Sequence, residues 1–169
     1  MPVYNVSFSE YGARLVLNCF RGGNGTVTSG TSITAPVGLY VALLTGTATD
    51  TDTGGGFTEF TGYSGTNRPI INFNAAAVAG TGTLATAQRI ATSNSQSFSI
   101  TSSATISGIA ITTVQANGTP LDYDSTGGNV IWYGELTTGT PPSQTATTVA
   151  VVNTDTLTFS IGNITIDLY

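Results

Sequence analysis

Short runs of alternating apolar and polar residues fill most of the chain after residue 36, and turn-forming residues separate them. Alternation with a period of two puts apolar side chains on one face of a β-strand. The intervening stretches are rich in Gly, Asn, Asp and Ser, which favour turns. The runs that fit a strand are Val37–Thr45, Arg68–Asn74, Leu84–Ala91, Ser97–Ile100, Thr105–Val114, Asn129–Leu136, Thr147–Val152, Leu157–Ile161 and Ile164–Tyr169.

This pattern predicts an all-β fold, a sandwich or jelly-roll-like domain of about eight to ten short antiparallel strands. The run Val37–Thr45 is apolar on both faces, which predicts a strand that is buried on two sides. No repeat of fixed period is present. We therefore expect one β domain over residues 26–169, preceded by an N-terminal arm and helix over residues 1–25.

The N-terminal arm contains the one segment with a helical pattern. Ser7 and Glu10 have the spacing of a capping box, and Gly22 favours a helix end. The spacing predicts an amphipathic helix over Phe8–Arg21, whose apolar stripe packs either on the chain's own sheet or on a neighbouring subunit. The residues we expect to dock on a partner are Phe8, Tyr11, Leu15, Phe20 and Arg21.

The scarcity of charge limits the possible partners. Charged residues make up 8% of the chain, which has neither lysine nor histidine and a net charge of −5. Four arginines cannot neutralise a row of phosphates, so we expect no nucleic-acid binding.

No apolar run approaches the roughly 20 residues that span a bilayer, so we expect no membrane association. A surface of hydroxyls and amides suits contact with other protein subunits, and Cys19 has no partner for an internal disulfide.

Catalytic chemistry lacks its usual groups. Without histidine or lysine, a serine or threonine has no ordinary activating base. A pair of carboxylates, as in glycosidases, is the remaining route. Its candidates are Glu59, Asp122, Asp124 and Glu135, which all lie beside turn sequence. We expect no catalytic residue, no cofactor and no enzymatic activity.

Two further patterns have a structural and a functional interpretation. The pairs Asp50 with Asp52 and Asp122 with Asp124 could begin a calcium site, but one pair supplies too few oxygens, and we expect turn caps and no metal. Aromatic residues could line a sugar-binding surface, although on strands such side chains more often pack in the core. These residues are Trp132, Tyr133, Tyr123 and Tyr63.

Several segments resemble, in order, a family of small phage virion proteins described as head decoration, cement or tail-fibre-like proteins. The segments are the opening "ARLVLNCFRG"; Pro36–Phe73, with an L-Y-V-A-L strand, a T-E-x-x-G motif and a Tyr/Arg strand; "SQSFSI" with "ATISGIAI"; "TGGNVIWYGELTT", which is similar to a G-G-N-x-x-x-Y-G-x-L signature; and the closing "VVNTDTLTFSIGNITIDLY". Tyr63 and Arg68 stand farther apart than in the family pattern, and residues 74–91 form a longer insertion.

The resemblance implies a virion protein made in the host cytoplasm. Its first functional interpretation is a capsid decoration or cement protein on the outer capsid surface, which binds the major capsid protein and itself as a homo-oligomer such as a trimer. The alternative is a tail, tail-fibre or adaptor protein. An interpretation of another class is a carbohydrate-binding module that uses Trp132.

Overall fold

The computed structural model describes residues 7–8, 38–46, 57–74, 77–78, 88–122, 129–138 and 144–168. All regular structure in these ranges is β-strand, in antiparallel pairs distributed over several sheets. The strands are β1 (Ser7–Phe8), β2 (Leu39–Leu44), β3 (Glu59–Phe60), β4 (Ile70–Ile71), β5 (Ala77–Val78), β6 (Gln88–Ala91), β7 (Gln96–Ser99), β8 (Ala104–Ile106), β9 (Gly108–Thr112), β10 (Val130–Glu135), β11 (Thr137–Thr138), β12 (Thr145–Ala146), β13 (Val149–Val151), β14 (Thr156–Phe159) and β15 (Thr165–Leu168). The all-β prediction is confirmed for this part of the chain.

A six-stranded sheet lies at the centre of the described structure. Its strand order is β1-β10-β9-β2-β3, and β4 also pairs with β2. In the β2–β9 pair, Val41 lies opposite Ile111 and Leu43 opposite Ile109, so one face presents a block of branched aliphatic residues. The other face carries the smaller Ala42 and Ala110 with Leu44. Both faces are buried, which explains the continuous apolar run in β2.

The last part of the chain folds back along its middle part. Residues 88–106 run antiparallel to residues 149–168 in three consecutive segments, in which β6 pairs with β15, β7 with β14 and β8 with β13. Hydrogen bonds bridge the gaps between them: Thr92 N–H donates to Ile164 O at 3.0 Å, and Ile100 N–H donates to Asp155 O at 2.8 Å. We call this two-stranded structure the ribbon.

The main hydrophobic cluster joins the ribbon to the six-stranded sheet. The aliphatic face of β2 and β9 contributes Val41, Leu43, Ile109 and Ile111, and the ribbon contributes side chains such as Phe98 and Phe159. A second cluster on the opposite sheet face comprises Ala42, Leu44, Phe57, Ala110, Leu121, Val130 and Tyr133. Burial of apolar area on both faces is the main stabilising contribution to this arrangement.

The predicted strand Thr105–Val114 is divided at Ser107, because the chain changes partner there. Before Ser107, β8 pairs with β13, and after it, β9 pairs with β2 and β10. The Ser107 hydroxyl donates to Gly46 O at 2.8 Å, and Leu136 N–H donates to Ser107 O at 2.8 Å. These tertiary hydrogen bonds set the corner, and the apolar alternation changes phase there: Ile106 and Ile109 are three residues apart, yet both belong to the main hydrophobic cluster.

Of the N-terminal arm, the structure describes Ser7 and Phe8. Ser7 and Phe8 form β1, which pairs with Tyr133 and Trp132 of β10, so no helix begins at Phe8. The remainder of the predicted helix lies outside the described residues. The insertion at residues 74–91 contains part of a sheet, since β5 pairs with β6. Within the described ranges there is no helix with the length and hydropathy needed to cross a bilayer.

Candidate functional site

An ion pair between Arg68 and Glu59 is buried among the described residues. Arg68 Nε donates to Glu59 Oε1 and Arg68 Nη2 donates to Glu59 Oε2, both at 2.7 Å. The Arg68 side chain is fully buried, and that of Glu59 is 8% exposed. A bidentate pair of this geometry fixes the relative position of the two side chains and compensates both charges.

The rest of the Arg68 guanidinium holds a second loop. Nη1 donates to Val114 O and Nη2 to Thr119 O, each at 2.8 Å. Both acceptors lie in the segment that follows β9, whereas Glu59 belongs to β3. Arg68 therefore connects three parts of the chain through one side chain. We call this set of contacts the Arg68 clamp.

Backbone contacts extend the clamp along the two loops. Arg68 N–H donates to Gln115 O at 2.7 Å, and Asn117 N–H donates to Thr66 O at 3.0 Å. The Asn117 side-chain amide donates to Gly65 O at 3.1 Å. Residues 65–68 are thus bound to residues 115–117, although Gly65 and Asn117 are 52 residues apart in sequence.

Tyr63 and Gly62 complete the same neighbourhood. The Tyr63 ring packs edge-on against Phe98 with centroids 5.0 Å apart. Burial, and then the nearby Glu59 carboxylate, raise the pKa of Tyr63 to about 12, with Asn117 and Arg68 acting in the opposite direction. A Cβ atom on Gly62 would meet Ser102 Oγ and the Phe60 ring, so a larger residue at this position would have to displace these two side chains.

Asn129 connects a second group of elements. Its side-chain oxygen accepts from Thr112 Oγ1 at 3.2 Å, and its amide donates to Pro120 O at 3.0 Å. Its backbone N–H donates to Asp122 O at 2.6 Å. Asn129 therefore ties β9 and the start of β10 to residues 120–122. In the same signature segment, Tyr133 packs edge-on against Phe57 with centroids 5.3 Å apart, and Leu136 is fully buried.

The predicted carboxylate candidates have separate roles or lie apart. Glu59 belongs to the clamp, Glu135 is exposed on β10, and Asp122 is half-buried at the Asn129 contact. Among the described residues, no three His, Cys, Asp or Glu side chains are grouped so that they could hold a metal ion. Asp50, Asp52 and Asp124 lie outside the described residues.

The aromatic residues proposed for sugar binding face the interior to different degrees. Tyr63 and Tyr133 are buried in the two hydrophobic clusters. Trp132 is half-buried, packs against the main cluster, and meets the Phe73 ring edge-on with centroids 6.2 Å apart. Tyr123 lies outside the described part. These described aromatic residues pack against other rings and against the two hydrophobic clusters.

Of the predicted docking residues, Phe8 lies in β1 beside Trp132 of β10. Tyr11, Leu15, Phe20 and Arg21 lie outside the described residues. The sequence argument singled out neither the clamp as a unit nor its second loop. The sequence signal that could have indicated the clamp was the presence of Glu59 and Arg68 in a chain almost without charge. Charged residues are seldom buried unless they are paired with an opposite charge.

The outer surface of the ribbon is uncharged and hydroxyl-rich where β7, β8, β13 and β14 form it. Its exposed residues are Ser97, Ser99, Thr105, Ala150, Thr156 and Thr158. Ser97 Oγ and Thr158 Oγ1 lie 3.0 Å apart in a cross-strand pair. Three large aliphatic residues of the described structure are exposed: Ile70 on β4, and Val152 and Ile161 in the two turns that flank β14.

A family model described as podophage GP4 fiber I protein gp80 matches residues 7–167, which is nearly the whole chain. Comparison with curated proteins and with solved structures gives no match. The match covers both the clamp and the Asn129 contacts.

Proposed function

Because the chain belongs to the phage virion protein family described as podophage GP4 fiber I protein gp80, we propose that it is a structural component of a phage tail fibre. The observation that carries this proposal is the extent of the match, residues 7–167 of a 169-residue chain. The family description favours the tail-fibre alternative over the capsid decoration or cement protein that we first expected. The coarser conclusion, a structural protein of the phage virion, follows from the family itself.

Its action in the particle would be binding, without catalysis. The chain has no lysine or histidine, and the buried Glu59 carboxylate is bound by Arg68. Both oxygens of this carboxylate accept hydrogen bonds from a buried arginine, so they are poorly placed to meet a substrate. The clamp instead fixes two surface loops on a rigid sheet, as a scaffold for protein contacts requires.

We also propose that the six-stranded sheet and the ribbon form the two layers of a β-sandwich. The shared hydrophobic cluster, to which both contribute buried side chains, supports this arrangement. The hydroxyl-rich surface that β7, β8, β13 and β14 expose is then available for other virion proteins or for further copies of the chain. Removal of serine and threonine side chains from water on assembly costs less than the desolvation of charges.

Fractionation of purified particles tests the proposed location. Heads and tails are separated, and the chain is quantified in each fraction by mass spectrometry against the major capsid protein. We expect the chain in the tail fraction, at a small number of copies per particle. Hundreds of copies in the head fraction would support the decoration alternative and contradict the tail-fibre proposal, and absence from particles would contradict both.

A further inference from the structure

One edge of β14 is unpaired in the described structure. Its other edge pairs with β7, in a two-stranded segment that has no third strand among the described residues. Ser64 N–H donates to Ser99 O at 2.8 Å, so the Ser99 carbonyl points away from β14. In an antiparallel pair, residues whose main chain points away from the partner alternate with residues that bond to it. Thr156 and Thr158, opposite Ser99 and Ser97, therefore direct their N–H and C=O groups to the free edge.

The residue types of β14 do not prevent strand pairing. Natural edge strands are protected by lysine, proline, inward-pointing charges, bulges or very short length. The β14 sequence Thr-Leu-Thr-Phe contains no charged residue and no proline. Thr156 and Thr158 are exposed, so no side chain of β14 blocks the approach of another strand. The edge thus presents main-chain donors and acceptors to an added strand.

The exposed aliphatic residues on either side of β14 indicate which strand fits. Val152 is 55% exposed in the turn before β14, and Ile161 is 64% exposed in the turn after it. They are nearly equidistant in sequence from Leu157. In a two-fold antiparallel pair of β14 strands, the Val152 end of each copy meets the Ile161 end of the other. One self-pairing event would therefore cover both exposed aliphatic residues and satisfy the free edge.

We propose that two copies of this chain associate through β14, antiparallel, with the two-fold axis at Leu157. In that register Thr156 of each copy lies opposite Thr158 of the other, and their main-chain groups form the new hydrogen bonds. No charge is placed opposite a like charge within the paired strands, because β14 carries none. The proposal concerns the chain alone and is independent of its location in the particle.

Charge at the edge provides the first test. The 169-residue chain and its variants are compared by sedimentation equilibrium, with circular dichroism to check folding. T158K places two lysines near the two-fold axis, and we expect the dimer dissociation constant to rise at least tenfold. S97K, on the neighbouring strand and the same exposed face, is the matched control and should leave it within about threefold. A monomeric wild-type chain, or a trimer whose mass T158K leaves unchanged, would overturn the proposal.

Cross-linking tests the register and does not depend on the folding of T158K. In a C19S background, T156C chains are mixed with T158C chains and oxidised. Residues directly opposite have Cα atoms about 5.5 Å apart, within disulfide range, whereas Thr158 of one copy and Thr158 of the other are too far apart. We expect a disulfide-linked dimer from the mixture and little from either variant alone. Equal cross-linking in all three samples would overturn this register.

The aliphatic contact provides a third test with its own control. I161E removes an exposed aliphatic side chain beside β14, and I70E removes one of similar exposure on β4. We expect I161E to weaken association at least fivefold and I70E to leave it unchanged. Equal effects of the two substitutions would contradict a contact centred on β14.

Discussion

Arg68 donates four hydrogen bonds from a side chain that has no contact with solvent. Two go to Glu59 and two to backbone carbonyls of the loop that follows β9. A buried charge is tolerated only when it is paired and its remaining donors are satisfied. The residue is therefore the main polar connection between the loops at this end of the sheet.

Substitution of Arg68 tests that role. Arg68→Met leaves the Glu59 carboxylate buried without its partner, so we expect the free energy of unfolding to fall by about 3–5 kcal/mol. Chemical denaturation measures the change. The double variant Arg68→Met/Glu59→Leu should lose less, since no unpaired charge remains, and Glu135→Gln on the surface should have little effect. A loss below about 1 kcal/mol in the single variant would contradict the account of the clamp.

Because of Tyr63, the free energy of unfolding depends on pH in the alkaline range. Burial raises its pKa in the folded chain to about 12 from the usual 10.0, so the unfolded state loses the proton first as pH rises. The stability contributed by the neutral phenol is present below pH 10 and is lost as pH rises from there to about 12. The unfolding free energy of wild type should fall relative to that of Tyr63→Phe over that window; a constant difference would contradict burial of the phenol.

Thr154 has an uncommon backbone conformation for a β-branched residue. Its φ is +81°, in the turn before β14, where glycine is favoured. We expect Thr154→Gly to raise the unfolding free energy by about 1 kcal/mol, because relief of strain exceeds the entropy cost of glycine. Thr105→Gly, at an exposed strand position, should lower it. Thermal unfolding measures both, and a destabilised Thr154→Gly variant would show that the turn is unstrained.

At the scale of the elements, close approach of the backbones determines how β9 and β10 pair. A Cβ atom on Gly108 would lie 2.6 Å from the Gly134 carbonyl oxygen, which is backbone and cannot move aside alone. We expect Gly108→Ala to destabilise the fold by about 1–3 kcal/mol by separating the two strands. The matched control is Gly46→Ala, whose Cβ would lie 3.7 Å from its nearest neighbour. Similar unfolding free energies for the two variants would contradict this explanation.

The sequence predicted those strands whose burial produces a recognisable pattern of apolar and polar residues. The strands β2, β10 and β15 fall within predicted runs, because one or both of their faces are buried. The two-residue strands β3 and β11 are too short to show a period, and β1 lies within a segment of helical spacing. Their conformation is set by pairing with distant strands, which outweighs local propensity.

The candidate site was predictable only in part for the same reason. The resemblance grouped Glu59, Gly62, Tyr63 and Arg68 in one stretch, and the structure brings these residues together. Val114, Thr119 and Asn117 entered the site through backbone carbonyls and an amide contact across the fold. Every residue has a backbone carbonyl, so no pattern of residue types could have indicated these acceptors.

At the scale of the whole molecule, the ribbon shares the main hydrophobic cluster with the six-stranded sheet and exposes serine and threonine side chains. Electrostatic repulsion between this surface and another protein is weak, since charge is scarce over the whole chain. This composition suits a subunit that meets other proteins over much of its area. It agrees with the family match to a podophage fibre protein and with the free edge at β14.

Labelling of intact particles tests the central claim most directly. Antibodies raised against the chain are bound to purified phage and located by electron microscopy, with particles from a deletion mutant as the control. The account predicts label at the tail fibres and none on the deletion mutant. Label distributed over the head, with bare tails, would contradict it.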